Sequence, residues 1–333
     1  MRSRFRSYLS SIGLAFLLTG PSVHAAGEPT VLRIGHTGHG QGALHGGAVR
    51  FAQQLETISS GAMQVDIVGR GALGGISDMF VQMQAGALDI QVIDVPAIGV
   101  LKAGQRMDVL LTPFLFESQA HLRRYFASET AHGPLRELAA NTGIRYIGYV
   151  AERSPRVIST TRKAVRAVDD MAGLKMRIPG SPLFREVFAA WGSVPTPTSP
   201  GDMFMALRTG MVDGEDNGIV NMVNGQNATV IRHVTPIDWH RAVVGLWFSD
   251  IRWNTLDERE RDWVHAAASA SGQQAADAFE LDMKAARKRL EALGIQVHEA
   301  DLSGFAAIVD DLVARHEGER WPDGEVARIR SLR

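Results

Sequence analysis

Residues 173–182 read GLKMRIPGSP and residues 206–217 read ALRTGMVDGEDN, and these two stretches decide the fold class. Apolar side chains alternate at the start of the first stretch, as they do along a β-strand: Leu174, Met176 and Ile178. Ser181 and Pro182 then suit the N-cap and first position of a helix. The first stretch therefore predicts a strand followed by a helix, with Arg177 on the less apolar face of the strand.

A second unit of the same kind follows directly. Ser199 and Asp202 have the spacing of a capping box, and Gly210 can end the helix that they open. Met211–Asp213 is then predicted as a strand. Two helix-and-strand units in such a short stretch of chain are typical of an α/β sheet.

The N-terminal half of the chain shows a related alternation of strands and helices. A helix is predicted from Leu44 to Ile58, because apolar residues recur there at steps of three and four. Four segments have the pattern of strands: Val31–Gly35, Met63–Ile67, Leu88–Val95 and Ile144–Val150. Helices between such strands indicate a mostly parallel sheet with helices on its faces.

The length of the chain predicts more than one lobe. A single hydrophobic core stops growing at about 250–300 residues, whereas this chain has 333. Thr255 and Glu258 have capping-box spacing and open a long helical pattern that continues to Leu293. We therefore predict an α/β fold with two lobes joined by ordered segments and by this helix, and a loose tail at Trp321–Arg333.

The N-terminus has the features of an export signal. Three arginines precede a short apolar run at Leu9–Leu18, and Val23 and Ala25 supply the small residues of a cleavage site. We expect residues 1–25 to be a signal peptide, which places the mature chain in the periplasm. The apolar run is shorter than the roughly 20 residues of a membrane-spanning helix.

Composition excludes several classes of protein. The chain has no cysteine, so neither lipid attachment to cysteine nor a disulfide framework is possible. Loss of residues 1–25 removes three arginines and no acid, which lowers the formal charge from −1 to −4. No concentrated basic face is evident, so nucleic acid is not an expected partner.

An exported enzyme is the main rival class, and its usual motifs are missing. The sequence has no G-x-S-x-G elbow, no H-E-x-x-H helix and no cysteine nucleophile. Asp213 and Glu215 would share one face of a strand, but a catalytic pair is the less favoured interpretation. We expect no catalysis, no cofactor and no metal.

One loop rich in glycine and histidine and one rich in glycine each have a functional and a structural interpretation. His36, His39 and His45 are potential zinc ligands, but their spacing is irregular, so histidines of a turn or pocket edge are the favoured interpretation. Gly69–Gly75 follows a strand like a phosphate-binding loop, but a close backbone turn fits its spacing better.

Arginines give the strongest indication of a ligand. Arg177 lies in a strand that is otherwise apolar, and Arg153 and Arg156 follow the predicted strand at Ile144–Val150. A guanidinium binds a carboxylate through two parallel hydrogen bonds. A structural salt bridge is the alternative for each of them.

Residues 173–182 and 206–217 resemble the solute receptors of tripartite ATP-independent periplasmic (TRAP) transporters, of the C4-dicarboxylate-receptor type. The resemblance extends over essentially the whole mature chain. Further motifs of that family match here: Leu73-Gly74, Gln82, Gly86–Asp89 and Pro113–Phe116. The family implies a two-lobed periplasmic-binding-protein fold with a hinge and a long lobe-spanning helix.

The resemblance also implies lobe boundaries, because lobes in this family exchange strands. Residues 26–152 with 242–281 would form the first lobe, and residues 153–241 with 282–333 the second. The implied function is a periplasmic receptor that captures a small organic carboxylate and delivers it to a small and a large membrane subunit of an ion-gradient-driven transporter. A ligand receptor for a sensor kinase, or less readily an exported carboxylate-processing enzyme, is the alternative.

The family's ligand-binding residues match five positions. Arg177 would pair with the ligand carboxylate, Arg156 matches the second arginine, and Asn217 matches the asparagine of the D-G-x-E-N motif. Thr37 and Asp94 occupy positions where first-lobe residues reach the ligand. Asp94 would either select a hydroxyl or amine of the ligand or cap a loop.

Three departures from the family pattern leave the arginines untouched. Ile76 replaces an acidic residue, Pro200 replaces an aromatic one, and Gly218 replaces the usual proline after Asn217. They bear on the rest of the pocket, and therefore on the identity of the substrate.

Overall fold

The structure is a computed structural model, and it describes residues 28–38 and 42–333. The predicted signal peptide at 1–25 lies outside these residues, as does His39. Within the described part of the chain, no helix combines the length and the apolar character that crossing a membrane requires. Strands and helices are numbered below in chain order.

Five strands form the first sheet, in the spatial order β2-β1-β3-β10-β4. Strand β1 is parallel to β2 and β3, and β10 is antiparallel to β3 and β4. The bounds are β1 Thr30–Gly35, β2 Met63–Val68, β3 Ile90–Asp94, β4 Ile144–Glu152 and β10 Val243–Ser249.

Six strands form the second sheet, in the order β11-β9-β5-β8-β6-β7. Strand β6 is parallel to β7 and β8, whereas β5 is antiparallel to β8 and β9. The bounds are β5 Arg156–Thr160, β6 Lys175–Ile178, β7 Val194–Pro197, β8 Gly214–Gly218, β9 His233–Thr235 and β11 Gln296–Val297.

Helices cover the faces of both sheets. The α-helices are α1 Ala43–Ile58, α2 Ile76–Gln84, α3 Gln119–Phe126, α4 Glu129–Thr142, α5 Pro182–Ala190, α6 Met203–Thr209, α7 Ile219–Asn224, α8 Asp250–Trp253, α9 Glu258–Ala292, α10 Ser303–Ala306, α11 Val309–His316 and α12 Glu325–Arg330. Short 3-10 helices lie at Val95–Val100, Lys102–Leu111, Val168–Met171 and Gln226–Thr229. The predicted α/β class is confirmed, but the first sheet is mixed where the sequence indicated a mostly parallel one.

The chain crosses directly between the sheets twice. Residues 153–155 lead from β4 to β5, and residues 236–242 lead from β9 to β10. Backbone hydrogen bonds join these two crossings, from Arg153 N–H to the Ala242 oxygen (2.9 Å) and from Arg156 N–H to the His240 oxygen (3.1 Å). The two sheets are therefore connected through a paired backbone segment.

Helix α9 makes the third connection and confirms the predicted long helix, with 35 residues. It contacts α1 and β4 of the first sheet and α7 and β11 of the second. Its cap differs from the prediction, because Asp257 and Glu260 form the capping box. The hydroxyl of Thr255 instead donates to the Arg252 oxygen.

Two other predictions at element ends are wrong. Met211–Asp213 is not a strand, because the Val212 N–H still bonds to the Ala206 oxygen of the preceding helix, and the strand begins at Gly214. Trp321–Arg333 is not a loose tail. Trp321, Val326 and Ile329 are buried, and the Ile329 oxygen lies 2.8 Å from His121 Nε2.

Helix α1 packs closely on β4 at one glycine. A Cβ on Gly47 would lie 2.8 Å from Val150 Cγ2 and 3.2 Å from the Val150 oxygen, whereas a Cβ on Gly46 would meet only the Arg50 side chain at 3.5 Å. Both glycines lie inside the same helix. Alanine at Gly46 therefore changes helix propensity alone, whereas alanine at Gly47 changes both helix propensity and packing.

We expect Gly46→Ala to raise the free energy of unfolding by about 0.5–1 kcal/mol, because alanine favours the helix over glycine. Gly47→Ala should lower the free energy of unfolding by about 1 kcal/mol. Overpacking costs about 1–3 kcal/mol, which exceeds the gain in helix propensity. Urea unfolding of both variants measures the difference. Equal stabilisation by the two substitutions would contradict the close packing of α1 on β4.

Candidate functional site

The candidate residues gather where strands of the two sheets end or begin beside the crossings. Asp94 ends β3, Arg153 follows β4, and Arg156 begins β5. Arg177 lies in β6, and Asn217 lies near the end of β8. Ligands of α/β proteins commonly bind outside the carboxyl ends of the strands, so this region between the sheets is the candidate site.

Arg177 is buried, with 5% of its surface exposed. Its Nε and Nη2 both donate to the Thr198 oxygen, at 3.0 and 2.9 Å. No carboxylate oxygen of the described residues lies within 4.0 Å of its guanidinium, and residues 1–27 and 39–41 contain no acid. The outer edge of the guanidinium, formed by Nη1 and the second N–H of Nη2, remains available for an anion.

The environment of Arg177 disfavours its positive charge. Burial lowers the pKa of Arg177, and the nearby charge of Arg156 lowers it further, while Glu215 and Asp216 act in the opposite direction. A guanidinium nevertheless stays protonated in proteins. An anion bound to it would therefore relieve a destabilised charge.

Asn217 lies on the same face of the second sheet as Arg177. Strand register places Arg177 opposite Glu215, and Asn217 follows Glu215 by two residues, which returns its side chain to that face. Its Nδ2 makes a long hydrogen bond to Glu215 Oε2 (3.4 Å), and its Oδ1 accepts from the Gly218 N–H (2.9 Å). Burial raises the pKa of Glu215 to about 7.

Arg156 lies on the opposite face and has a carboxylate partner. Its Nε lies 2.8 and 2.9 Å from the two Asp216 carboxylate oxygens, and its Nη2 donates to the Asp216 backbone oxygen (2.8 Å). Trp239 Nε1 also donates to Asp216 (3.0 Å). Arg156 packs over the Phe184 ring, 5.1 Å from its centroid. The structural salt bridge that the sequence left open for Arg156 is therefore present.

Asp94 and Arg153 form a second ion pair of the same kind. Arg153 Nε and Nη2 donate to the two Asp94 oxygens at 2.7 and 2.8 Å. The Asp94 side chain does not cap the following 3-10 helix, so the loop-cap alternative is wrong. Burial disfavours the charge of Arg153, but the charge and hydrogen bonds of Asp94 outweigh it and raise the pKa of Arg153.

His240 was missed in the sequence, although it lies in the second crossing beside both arginines. Its ring contacts Phe184 and Trp239, with centroids 5.6 and 5.5 Å apart. Burial, and then the charge of Arg156, lower the pKa of His240 to about 3. The crossing therefore holds a neutral imidazole between charged neighbours. No local pattern in the sequence signals this arrangement.

Thr37 follows the carboxyl end of β1, which lies between β2 and β3 in the first sheet, and is half-buried. A small cavity of about 170 Å³ lies beside it, lined by His36, Gly38, His45, Gly69 and Arg70. His36 Nε2 lies 3.2 Å from His45 Nδ1, and the Gly38 N–H donates to His36 Nδ1 (3.1 Å). The two histidines thus satisfy each other at a pocket edge, and within residues 28–38 and 42–333 no cluster suited to a metal ion occurs.

The Gly69–Gly75 loop is a close backbone turn in the structure. A Cβ on Gly69 would lie 2.8 Å from the His36 ring, and Arg70 has a left-handed backbone with φ 61°. Hydrogen bonds from Arg70 N–H to the Gly38 oxygen and from Gly71 N–H to the His36 oxygen fix this turn.

The carboxylates of Asp213 and Glu215 have different roles. Asp213 accepts from the Lys175 N–H (2.9 Å), whereas Glu215 is fully buried and accepts from Asn227 Nδ2 (3.0 Å). Asp216, whose pairing with an arginine the sequence did not predict, is the acid that neutralises Arg156. Its partner lies 60 residues earlier in the chain.

Asp216→Asn should lower the free energy of unfolding by about 3 kcal/mol, because it leaves the Arg156 charge without its buried partner. Asp66→Asn is a matched control, since Asp66 pairs with Arg33 at the surface and such pairs contribute about 0–1 kcal/mol. Urea unfolding measures both. A loss below about 0.5 kcal/mol for Asp216→Asn would show that this pair does not stabilise the fold.

Comparison with protein families identifies one match. The sequence model described as "Bacterial extracellular solute-binding protein, family 7" matches residues 34–319. A solute-binding protein of Roseobacter denitrificans is 26% identical over 295 residues, which cover 89% of each chain. The C4-dicarboxylate-binding periplasmic protein of Rhodobacter capsulatus is 25% identical over 307 residues, covering 92% of this chain and 91% of the relative.

Solved structures share the fold. A TRAP periplasmic solute-binding protein of Polaromonas bound to D-erythronate has a TM-score of 0.82 and 23% identity, covering 91% of this chain and 98% of that one. A second, from Pseudomonas putida with bound D-glucuronate, has a TM-score of 0.80 and 21% identity, covering 90% and 96%. These likenesses establish the two-lobed α/β architecture.

Proposed function

Because the chain belongs to the bacterial extracellular solute-binding proteins of family 7, we propose that it is a periplasmic receptor for a small organic carboxylate. It delivers this ligand to the small and large membrane subunits of a TRAP transporter. It binds and releases the acid without transforming it. Residues 1–25 direct its export and are removed.

The unpaired charge of Arg177 is the observation that carries this proposal. Buried charges in proteins are normally paired, because an isolated ion in a low dielectric is costly. Arg153 and Arg156 follow that rule, with Asp94 and Asp216 as partners. Arg177 hydrogen-bonds to a neutral carbonyl and keeps its outer edge open. A ligand carboxylate would supply the missing anion through two parallel hydrogen bonds.

Neighbouring groups complete the proposed site. Asn217 can turn its amide from Glu215 to the same ligand carboxylate, since its bond to Glu215 is long. Arg156 points to the other face of the sheet, but its charge still acts on Arg177, and its Nη1 makes no hydrogen bond to the described residues. Thr37 and Asp94 would contact the ligand from the first lobe, with Asp94 held in place by Arg153.

The class of ligand follows from the relatives. Solved family structures hold D-erythronate, D-glucuronate and L-galactonate, and a curated relative binds C4-dicarboxylates. Each of these acids combines a carboxylate with further polar groups. We propose a hydroxylated acid or a dicarboxylate for this receptor.

Closure of the two lobes completes binding in this proposal. The first lobe comprises residues 26–152 with 242–281, and the second comprises 153–241 with 282–333. Bending occurs at the paired crossings beside Arg153 and His240, where two backbone segments join the sheets. Removal of water strengthens the pairing of the ligand with Arg177, and the closed form presents the ligand to the membrane subunits.

We expect Arg177→Ala to abolish binding while the protein stays folded. The measurement is a thermal-shift screen of residues 26–333 against succinate, L-malate, D-erythronate, L-galactonate and D-glucuronate. One acid should raise the Tm of the wild type, by mass action on the native state, and leave Arg177→Ala unchanged. Arg208→Ala, which removes an exposed arginine of the same lobe, is the matched control and should respond as the wild type does.

The same screen can contradict the assignment. An equal shift in Arg177→Ala would show that the acid binds elsewhere and that Arg177 serves the fold. Absence of any shift with the wild type would count against the carboxylate class itself.

A further inference from the structure

Glu215 is a buried carboxyl group on the face of β8 that carries the candidate site. It is 0% exposed, and strand register places it between Arg177 on β6 and Ser159 on β5. Its Oε2 accepts from Asn227 (3.0 Å) and Asn217 (3.4 Å). Its Oε1 and the Ser159 hydroxyl are buried without a hydrogen-bond partner in the described part of the chain. Half of this carboxyl group is therefore unsatisfied.

The groups around Glu215 include one cation. Arg177 supplies it from β6, while β5 contributes the neutral Ser159 on this face and directs Arg156 to the other. The 3-10 helix at Gln226–Thr229 contributes the amide of Asn227. Asp216 adds a negative charge from the other face of the same strand. Burial raises the pKa of Glu215 to about 7, against the opposing effects of Arg177, Asn217 and Asn227.

Docking of a carboxylate on Arg177 would act on Glu215 in three ways, and all three would raise its affinity for a proton. The ligand neutralises the guanidinium that now favours an ionised Glu215. It draws the amide of Asn217 away from Glu215 Oε2. It also places a second negative charge in the same buried region, where like charges strongly disfavour each other. Each change favours the protonated carboxyl group.

We propose that Glu215 binds a proton from solvent when a carboxylate docks on Arg177, so that the receptor takes up acid anion and proton together. This inference rests on the proposed function. The new O–H can donate to an oxygen of the ligand, which gives the orphaned oxygen of Glu215 a partner. The site then buries a cation, an anion and a neutral acid instead of an additional negative charge.

The sign of the pH effect follows from linkage. At low pH Glu215 is protonated in both free and liganded receptor, so the Kd is constant. Above about pH 7 the free receptor releases the proton while the liganded one retains it. The Kd should then rise by up to about tenfold per pH unit.

Isothermal titration calorimetry in buffers of different ionisation enthalpy counts the protons directly. The probe is the acid among succinate, L-malate, D-erythronate, L-galactonate and D-glucuronate that gives the largest thermal shift. We expect uptake that approaches one proton per ligand at pH 8 and falls toward zero at pH 5.5. Glu215→Gln should abolish the uptake and bind the probe at pH 8 up to about tenfold more tightly than the wild type.

Controls separate this inference from the proposed function. Glu299→Gln removes an exposed acid of the same lobe and should retain the wild-type uptake. Binding without proton uptake at pH 8, or uptake that persists in Glu215→Gln, would overturn the inference alone. No binding of any acid in the panel would overturn the proposed function, and the inference with it.

A measurement without ligand tests the same carboxyl group if the substitution weakens the fold. A folded-state pKa above the ordinary value of 4.5 means that the stability contribution of Glu215 is present at low pH and lost as pH rises through about 7. The Tm of Glu215→Gln relative to wild type should therefore increase between pH 5.5 and pH 8. A constant Tm difference would show that Glu215 does not titrate in this range and would overturn the inference.

Discussion

The proposed function depends on one buried charge, the guanidinium of Arg177, which no carboxylate of the described residues neutralises by a close contact. Its Nε and Nη2 are held by the Thr198 carbonyl, which fixes the direction of the side chain without neutralising it. Such an arrangement costs stability in the free protein, because burial disfavours an unpaired ion. In the proposed function, a ligand carboxylate that pairs with Arg177 would offset this cost.

Two ion pairs lie beside the crossings between the sheets. The Asp94–Arg153 and Asp216–Arg156 pairs lie on either side of the crossings between the sheets, and His240 stays neutral between them because burial lowers its pKa. Trp239 ties Asp216 to an aromatic cluster with Phe188 and Trp191. Arg153 and Arg156 each have a carboxylate partner, whereas Arg177 hydrogen-bonds to a neutral carbonyl oxygen.

Local sequence patterns predicted most of the elements and placed Arg177 in a strand that is otherwise apolar. The alternation around Arg177 and the Ser181 cap lie within ten residues and depend on local geometry, so a single sequence is sufficient for them. The cap of α9 shows the limit of local rules, since Thr255 and Asp257 both precede a glutamate by three residues. Asp257 caps the helix in the structure, and spacing alone does not distinguish the two.

Contacts between distant segments account for what the sequence did not predict. Asp94 and Arg153 are 59 residues apart, and Ile329 contacts His121 across 208 residues. No local pattern encodes such pairs, so the sequence does not predict the pairing of Asp216 with Arg156, the position of His240 or the packing of the C-terminal segment. The orphaned oxygen of Glu215 likewise depends on packing. The sequence of β8 alone does not show that Asp216 pairs with an arginine while Glu215 does not.

A crystal structure of the protein with the tightest-binding acid tests the central claim most directly. The account predicts a ligand carboxylate within about 3 Å of Nη1 and Nη2 of Arg177, with the Thr198 contact retained and the two lobes closed. A ligand whose carboxylate is bound by other residues, with Arg177 still engaged only by Thr198, would contradict it.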